Sequence, residues 1–409
     1  MINSNFPIPN PDRRTINKIS STNSNNKHEN INKNDNINNQ SKNYNFNDNL
    51  QSSFEQHQHS LNISQSRNNK SLSESKEKED FDKLNNMNLV KLKHIEDMRK
   101  QIMIFKLLND KGMFLSNIPV NPSINKCNII LFGPSGSGKS SFIKSMYRSL
   151  YNTPILPPDA MNKLVIKNTY ENEGTLCFTR LFLKEEQENS SGIIVCDTRG
   201  HIRMNEEEKE QFKVMIEGKV KDNVEIKQRV ERNPLSLWEF WKKDSELFPK
   251  EIFKATEPGI ESLPHSIVFV FDGSKDEAIE KEDECFYKEL IRIIKRKGYL
   301  NVHVILTRID LFEKYINENY MKIPSTERST KVNTLKDEKI EKITEILGVN
   351  RSNVHFIENY HSENKKANSI EIDYQLLKTM NDIITSGELF IMNYLNKNET
   401  CFANCFGKK

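Results

Sequence analysis

Residues 133–140 read Gly-Pro-Ser-Gly-Ser-Gly-Lys-Ser, which is a complete glycine-rich phosphate-binding loop. The apolar run at 127–132 predicts a short buried strand before this loop, and the pattern at 141–150 predicts a helix after it. A loop between such a strand and helix can curl its backbone N–H groups around a phosphate, and the helix N-terminus adds positive potential. The stretch therefore predicts a nucleotide-binding α/β fold.

Each residue of this loop has an expected role. Lys139 is predicted to reach the β- and γ-phosphates and to support catalysis, and the Ser140 hydroxyl is predicted to bind Mg²⁺. The residues of this segment that we expect to contact the nucleotide are Gly133, Pro134, Ser135, Gly136, Ser137, Gly138, Lys139, Ser140 and Ser141.

Composition divides the 409-residue chain. Residues 1–80 are dominated by Asn, with Ser, Lys and Gln, and their isolated apolar residues predict a disordered low-complexity segment. The expected organisation continues with an amphipathic lead-in helix at 81–115, a P-loop GTPase-like domain at 116–400 and a flexible tail at 401–409. The formal charge of +3, from 60 basic and 57 acidic residues, does not favour nucleic acid as a partner.

Cysteine usage and hydropathy predict a cytoplasmic setting. The six cysteines are scattered without metal-ligand spacing, and no secretory signal precedes them. The longest apolar runs are too short to span a bilayer, so no transmembrane segment is expected.

The lead-in helix is predicted from apolar residues spaced three and four apart through residues 84–114. Two interpretations remain open. The helix packs on the folded domain, or it serves a partner or self-association.

Short apolar runs continue after the phosphate loop. Residues 163–168 and 176–183 predict a hairpin, and further strands are expected at 192–197, 266–272, 302–306 and 354–357. Helices are expected at 277–297 and 371–395. Strands alternating with helices predict a mostly parallel sheet with helices on both faces. The long connection at 201–263 holds both tryptophans and predicts an anchored insert or a moving lid.

The second nucleotide motif is Asp197-Thr-Arg-Gly200, at the end of an apolar strand. In switch-type nucleotide hydrolases an Asp here holds Mg²⁺ through a water, and the Gly donates its N–H to the γ-phosphate. We assign those roles to Asp197 and Gly200. His201 stands where such enzymes keep a water-positioning side chain, so it is a catalytic candidate.

A threonine that reaches Mg²⁺ from the preceding loop is harder to place. Thr175 is the favoured metal ligand, and Thr179 and Thr169 are alternatives. Arg199 or Arg180 could approach the phosphates, but a solvated salt-bridge role is favoured for each.

The third motif is Thr307-Arg-Ile-Asp310, again just past a strand. In guanine-specific proteins the loop at this point has an Asp that accepts hydrogen bonds from the guanine base. Asp310 stands at that position, and Thr307 and Arg308 complete the loop. Arg308 replaces the usual Lys, and its long stem could still cover a base.

These motifs occur in the order of a known family. Together with residues 267–272 and 358–363 they resemble the GTPase-like domain of the interferon-induced protein 44 and protein 44-like family, over about residues 116–395. The resemblance implies a Ras-like nucleotide-binding fold and GTP binding. It also implies that Asn359 and Tyr360 lie in the loop that closes over the base.

The leading functional hypothesis is a guanine-nucleotide-binding switch or assembly protein, with slow GTP hydrolysis, bound Mg²⁺ and GTP or GDP, and nucleotide-dependent self-association. GTP is favoured over ATP through Asp310. The alternatives are a non-catalytic nucleotide-binding scaffold and an ATP-dependent kinase. The kinase is less favoured because no cluster of arginines follows Thr307.

Overall fold

The computed structural model describes residues 73–107, 124–156, 177–188, 190–222, 224–225, 253–254, 258–321, 324–360 and 368–406. Three regions that carried predictions lie outside these ranges. They are the Asn-rich segment up to residue 72, the predicted hairpin strand at 163–168, and the tryptophan-containing part of the long connection.

Seven strands form one sheet within the described ranges, in the order β4-β2-β3-β1-β5-β6-β7. They are β1 Lys126–Phe132, β2 Cys177–Lys184, β3 Gly192–Asp197, β4 Val224–Glu225, β5 Ser266–Asp272, β6 Val302–Thr307 and β7 Val354–Phe356.

The pairing of these strands defines the fold class. β1 lies between β3 and β5 and is parallel to both, and β6 and β7 continue the parallel sheet. β2 is antiparallel to β3, and the two-residue β4 is antiparallel to β2. This mostly parallel sheet with an antiparallel strand beside β3 confirms the predicted P-loop NTPase fold of the Ras-like type.

Seven α-helices lie within the described ranges. They are α1 Ser73–Met103, α2 Lys139–Tyr151, α3 Glu206–Ile216, α4 Glu284–Arg296, α5 Ile309–Asn319, α6 Ser325–Leu347 and α7 Ile370–Phe406. Side chains on one strand show that helices cover both faces of the sheet. Cys127 of β1 faces Gly387 of α7, whereas Phe132, five residues later and on the opposite face, packs against Phe212 of α3.

The central strands are buried because both faces are covered. Every residue of β3, β5 and β6 is buried, which explains why these strands are apolar runs rather than alternating patterns. Aromatic packing on the α4 face includes Tyr287, whose ring centroid lies 5.6 Å from that of Phe269.

Helix α1 packs into the same hydrophobic core as the sheet. Ile95, Met98 and Ile102 are buried there, whereas Leu89 and Val90 are exposed. The structure thus supports packing on the domain for this part of the helix. The helix begins at Ser73, earlier than predicted, and ends at Met103.

The end of α1 has a physical cause. The Lys184 ammonium of β2 donates hydrogen bonds to the carbonyls of Ile102 and Phe105, at 3.2 and 3.4 Å. The Ser191 N–H donates to the Phe105 carbonyl at 2.7 Å. These partners replace helical hydrogen bonds, so the chain leaves the helix here. The predicted residues 108–114 lie outside the described ranges.

Two further helix bounds differ from the prediction. α4 begins at Glu284 rather than near 277, and the carbonyls of Lys275 and Asp276 before it accept hydrogen bonds from Lys339 of α6. α7 continues to Phe406, through the segment predicted as a flexible tail, since residues 388–406 contain no Gly or Pro.

Helices α5 and α6 were not predicted from the sequence. α6 has few buried apolar residues, namely Val332, Ile343, Ile346 and Leu347, so its hydrophobic period is weak.

Within the part of the chain that the structure describes, no helix has the length and apolar character needed to cross a membrane.

The contact between α7 and β1 gives a stability prediction. A Cβ on Gly387 would lie 2.7 Å from the Cys127 sulfur, which is too close. We expect Gly387→Ala to lower the free energy of unfolding by about 1 kcal/mol, although Ala favours helix. In a Cys127→Ala background the same change should instead raise the free energy of unfolding by up to about 1 kcal/mol. The overlap with sulfur is then absent, and only the preference of Ala over Gly in a helix remains. Urea unfolding of the four proteins measures both effects, and equal effects in the two backgrounds would contradict this packing.

Candidate functional site

The phosphate loop leaves the carboxyl end of β1, between the neighbours β3 and β5. In open α/β sheets ligands bind at the carboxyl ends of strands, where the chain direction across the sheet reverses. The loop needs glycine at two places for different reasons. A Cβ on Gly133 would lie 2.1 Å from the carbonyl oxygen of Val270 in β5, and Gly138 has a left-handed φ of 93°.

Lys139 begins α2 and is buried beneath the loop. Its Nζ donates hydrogen bonds to the carbonyls of Gly133 and Pro134, each at 2.9 Å. Burial lowers the pKa of Lys139 to about 8, and the carboxylate of Asp197 partly opposes this effect. The ammonium group therefore lies against the backbone of the loop, and its contact with the β- and γ-phosphates stays a prediction.

Ser140 and Asp197, the two described residues that are predicted to hold Mg²⁺, are in contact with each other. The Ser140 hydroxyl donates to Asp197 Oδ2 at 2.5 Å. Thr179 of β2 is paired in register with Asp197, whereas Thr175 and Thr169 lie outside the described residues. A hydroxyl and a carboxylate oxygen are hard donors of the kind that Mg²⁺ prefers.

The second motif lies directly against the phosphate loop. The Ser135 N–H donates to the carbonyl of His201 at 2.7 Å. A Cβ on Gly200 would lie 2.5 Å from Ser135 Cα and 3.1 Å from Lys139 Nζ. Glycine at position 200 is therefore required by a close approach of two backbones.

The His201 ring lies in the core, contrary to its predicted catalytic position. It stacks on Phe132 with ring centroids 5.2 Å apart, and its Nε2 lies 2.8 Å from the Tyr287 hydroxyl. The residue is fully buried. A ring held between two aromatic side chains is not free to orient an attacking water, so this placement does not support the predicted catalytic role.

Arg199 is also engaged away from a phosphate. Its guanidinium forms a buried ion pair with Glu208 of α3 and donates to Gln211 Oε1 at 3.3 Å. Burial raises the pKa of Glu208, and the charge of Arg199 opposes that rise. The ion pair agrees with the role favoured from the sequence, although it is buried rather than solvated.

The third motif contacts the phosphate loop through side chains. The Thr307 hydroxyl donates to the Ser137 carbonyl at 2.6 Å. Arg308 donates to the Gly136 carbonyl at 2.9 Å and to Asp272 Oδ2 at 2.6 Å. Arg308 also has a left-handed φ of 59°, an uncommon conformation for a non-glycine residue. These bonds fix the third motif against the first.

Asp310 lies in the first turn of α5, two residues beyond Arg308. Its contact with a base is a prediction that rests on this position. Ser141 lies in the first turn of α2, next to Ser140.

Asn359 and Tyr360 follow β7 and face different neighbours. A Cβ on Gly138 would lie 3.3 Å from Asn359 Nδ2, so Asn359 lies beside the phosphate loop. The Tyr360 hydroxyl instead donates to Asp373 of α7 at 2.8 Å. The Tyr360 side chain therefore anchors the loop rather than facing a base.

Two residues of the site were not identified from the sequence. Asp272 is the last residue of β5, as Asp197 is the last residue of β3. An acidic residue at the end of an apolar strand was therefore the signal that could have identified Asp272. Ser145 of α2, which accepts the Tyr360 N–H at 2.8 Å, gave no signal, because a Ser in a helix is common.

The solved structures to which the chain is similar match it at low identity and low TM-score. Toc33 from Arabidopsis thaliana in complex with Mg²⁺ and GMPPNP is 11% identical, with a TM-score of 0.37, and the match covers 72% of this chain and 92% of that one. The Ski7 GTPase-like domain of S. cerevisiae bound to GTP is 13% identical, with a TM-score of 0.32, over 66% of this chain and 53% of that one. Similarity this low transfers neither a ligand nor an activity.

No protein-family profile matches the chain, and a search of curated proteins finds no match either. The resemblance to the interferon-induced protein 44 family therefore stays a hypothesis.

The burial of His201 gives a pH prediction. Burial and the positive charges of Lys139 and Arg199 hold the pKa of His201 well below 6.5. Protonation thus favours the unfolded chain, and the stability from this group is present above pH 6.5 and is lost as pH falls toward the folded pKa. Below pH 6.5 the titration of this histidine should lower the free energy of unfolding by up to about 1.4 kcal/mol per pH unit.

Urea unfolding between about pH 7.5 and about pH 5.5 measures this loss. The free energy of unfolding of His201→Gln should fall less steeply with decreasing pH than that of the wild type. The difference between the two slopes is the contribution of His201. Other buried histidines, such as His265 and His303, titrate in both proteins and cancel in the difference. Parallel profiles would show that the ring is not held neutral in the core.

Proposed function

We propose that the protein binds a guanine nucleotide with Mg²⁺ and acts as a switch or assembly protein that hydrolyses GTP slowly. The observation that carries this proposal is the direct contact between the phosphate loop and the third motif. Thr307 and Arg308 donate to consecutive loop carbonyls, those of Ser137 and Gly136. A base-recognition loop must sit beside the phosphate loop in this way, because the base and phosphates belong to one small ligand.

Ser140 and Asp197 are the residues that would hold Mg²⁺. The ion typically keeps several waters and is bound by one or two protein groups together with the nucleotide phosphates. It would neutralise charge on the β- and γ-phosphates. The Ser140 hydroxyl and the Asp197 carboxylate, already in contact at 2.5 Å, suit this arrangement.

Slow rather than fast hydrolysis is supported by two buried side chains. His201 is enclosed by Phe132 and Tyr287, and Arg199 is paired with Glu208. Neither is placed to orient water or to compensate charge at a γ-phosphate. Intrinsic turnover without an arginine finger is on the order of 10⁻³ to 10⁻⁴ per second. The same observation favours a second candidate, a nucleotide-binding scaffold without hydrolysis.

Nucleotide binding is tested with Lys139→Ala. Loss of the buried ammonium should weaken GDP binding by about 100-fold or more, because charge-assisted bonds to the phosphates are removed. Lys144→Ala, on the same helix but half-exposed, is the matched control and should bind like the wild type. Titration calorimetry with Mg²⁺ measures both. Equal affinities in wild type and Lys139→Ala would contradict nucleotide binding by this loop.

Guanine recognition is tested with Asp310→Asn. A carboxylate can accept hydrogen bonds from N1 and N2 of guanine, whereas an amide presents a donor that suits the 2-oxo group of xanthine. The variant should lose about 100-fold in affinity for GDP and gain affinity for XDP. Binding of ADP should change little. Unchanged GDP affinity in Asp310→Asn would contradict base recognition by this residue.

A further inference from the structure

A buried carboxylate joins three helices to the loop after β7. Asp373, near the start of α7, accepts a hydrogen bond from Arg99 of α1 at 2.5 Å and from the Ser149 hydroxyl of α2 at 2.6 Å. Its Oδ1 also accepts from the Tyr360 hydroxyl at 2.8 Å. We call Arg99, Ser149, Tyr360 and Asp373 the Asp373 cluster.

The buried charges of the Asp373 cluster are compensated by hydrogen bonds within the cluster. Only 3% of Asp373 and 7% of Arg99 is exposed, so neither charge is solvated by water. Burying a lone charge is costly, but the ion pair and the two hydroxyl donors compensate both groups. Arg99 Nε also donates to the Ser149 carbonyl at 2.6 Å, so its guanidinium is held at two points. The geometry of the cluster is therefore tightly specified.

Tyr360 connects this cluster to the nucleotide site. Its N–H donates to the Ser145 hydroxyl at 2.8 Å, and the Arg148 guanidinium lies 4.0 Å from its ring centroid. The preceding residue is Asn359, beside Gly138 of the phosphate loop. The position of Asn359 beside the phosphate loop thus depends on the anchoring of Tyr360.

Helix α1 enters the cluster although it precedes the phosphate-binding domain in the sequence. Arg99 lies one turn before the end of the helix, and that end is fixed to β2 by Lys184, through its bond to the Ile102 carbonyl. Because Arg99 bonds to Asp373 and Asp373 bonds to Tyr360, a shift of α1 near Arg99 would reach Tyr360. The hydrogen bonds of the cluster are the contacts that would carry it.

We propose that the Asp373 cluster is a positioning device through which α1 holds the loop at residues 358–360 over the base and thereby sets the rate of guanine-nucleotide release. This inference rests on the proposed function and deepens it. A partner or modification that moves α1 would regulate release at this site. Arg99, Tyr360 and Asp373 are positioning residues, since none of them faces a phosphate.

Tyr360→Phe is the sharpest test, because it removes a single hydroxyl, which donates to Asp373 and accepts from the Ser369 N–H, and it keeps the ring against Arg148. We expect release of fluorescently labelled GDP from the full chain to become about tenfold faster. The affinity for inorganic pyrophosphate should stay unchanged, because the phosphate loop is intact. A purely structural defect would weaken both ligands.

The matched control uses an exposed ion pair between the same two helices. Lys91 of α1 lies 3.3 Å from Glu371 of α7, and Glu371 is largely exposed. Glu371→Gln should leave GDP release unchanged, because exposed pairs contribute little.

A double-mutant cycle tests the connection to α1. Arg99→Lys keeps the charge but loses the two-point hold on Asp373 and Ser149. It should also speed release, and the Arg99→Lys, Tyr360→Phe double variant should be no faster than the faster single variant, because both changes act through one cluster. Thermal unfolding of each variant confirms that the chain is folded.

The outcomes separate this inference from the proposed function. Unchanged GDP release in Tyr360→Phe overturns the inference alone, as does a proportional loss of pyrophosphate affinity or full additivity in the cycle. A wild-type chain that binds neither GDP nor pyrophosphate overturns the proposed function and this inference with it.

Discussion

Close approach of neighbouring segments to the backbone of the phosphate loop is the constraint on which the site depends. Gly133 brings the loop against the Val270 carbonyl of β5, and Gly200 brings the second motif against Ser135. Any side chain at either glycine would overlap backbone atoms. These contacts hold the loop in place, and the N-terminus of α2 that follows it carries a partial positive charge. The arrangement of the sheet strands delivers all of these segments to the same edge.

The charged and titratable side chains around this loop differ in what they contact. The Lys139 ammonium bonds to the loop backbone, whereas Arg199 is paired with Glu208 and His201 is packed among aromatic side chains. The interior contacts tie the second motif to α3 and to the sheet. These contacts are the basis for proposing slow hydrolysis, because Arg199 and His201 serve as structural anchors here.

The sequence predicted those parts of the molecule in which chemistry or backbone geometry requires particular adjacent residues. The phosphate loop, Asp197, Gly200 and the strands of the sheet belong to this class, because glycine, acid and apolar runs each have a direct physical meaning. The burial of His201 could not be predicted, since a histidine after Gly200 suits either solvent or core. Only the packing against Phe132 decides between them.

Features that join distant residues were equally hidden. Arg99 and Asp373 are 274 positions apart, and neither stands in a recognisable motif. Helix α6 has only sparse apolar positions, so its helical state depends on packing against α4 and α5 rather than on its own pattern. Sequence reasoning therefore located the site but did not reveal what holds it in place.

Backbone amide exchange in the phosphate loop tests the central claim most directly. Hydrogen exchange of the peptide covering residues 133–141 should slow markedly when GDP and Mg²⁺ are added to the full chain, because the amides bind phosphate oxygens. Exchange in the exposed helix α6 should stay the same. Unchanged exchange at residues 133–141 with saturating GDP and Mg²⁺ would contradict the account.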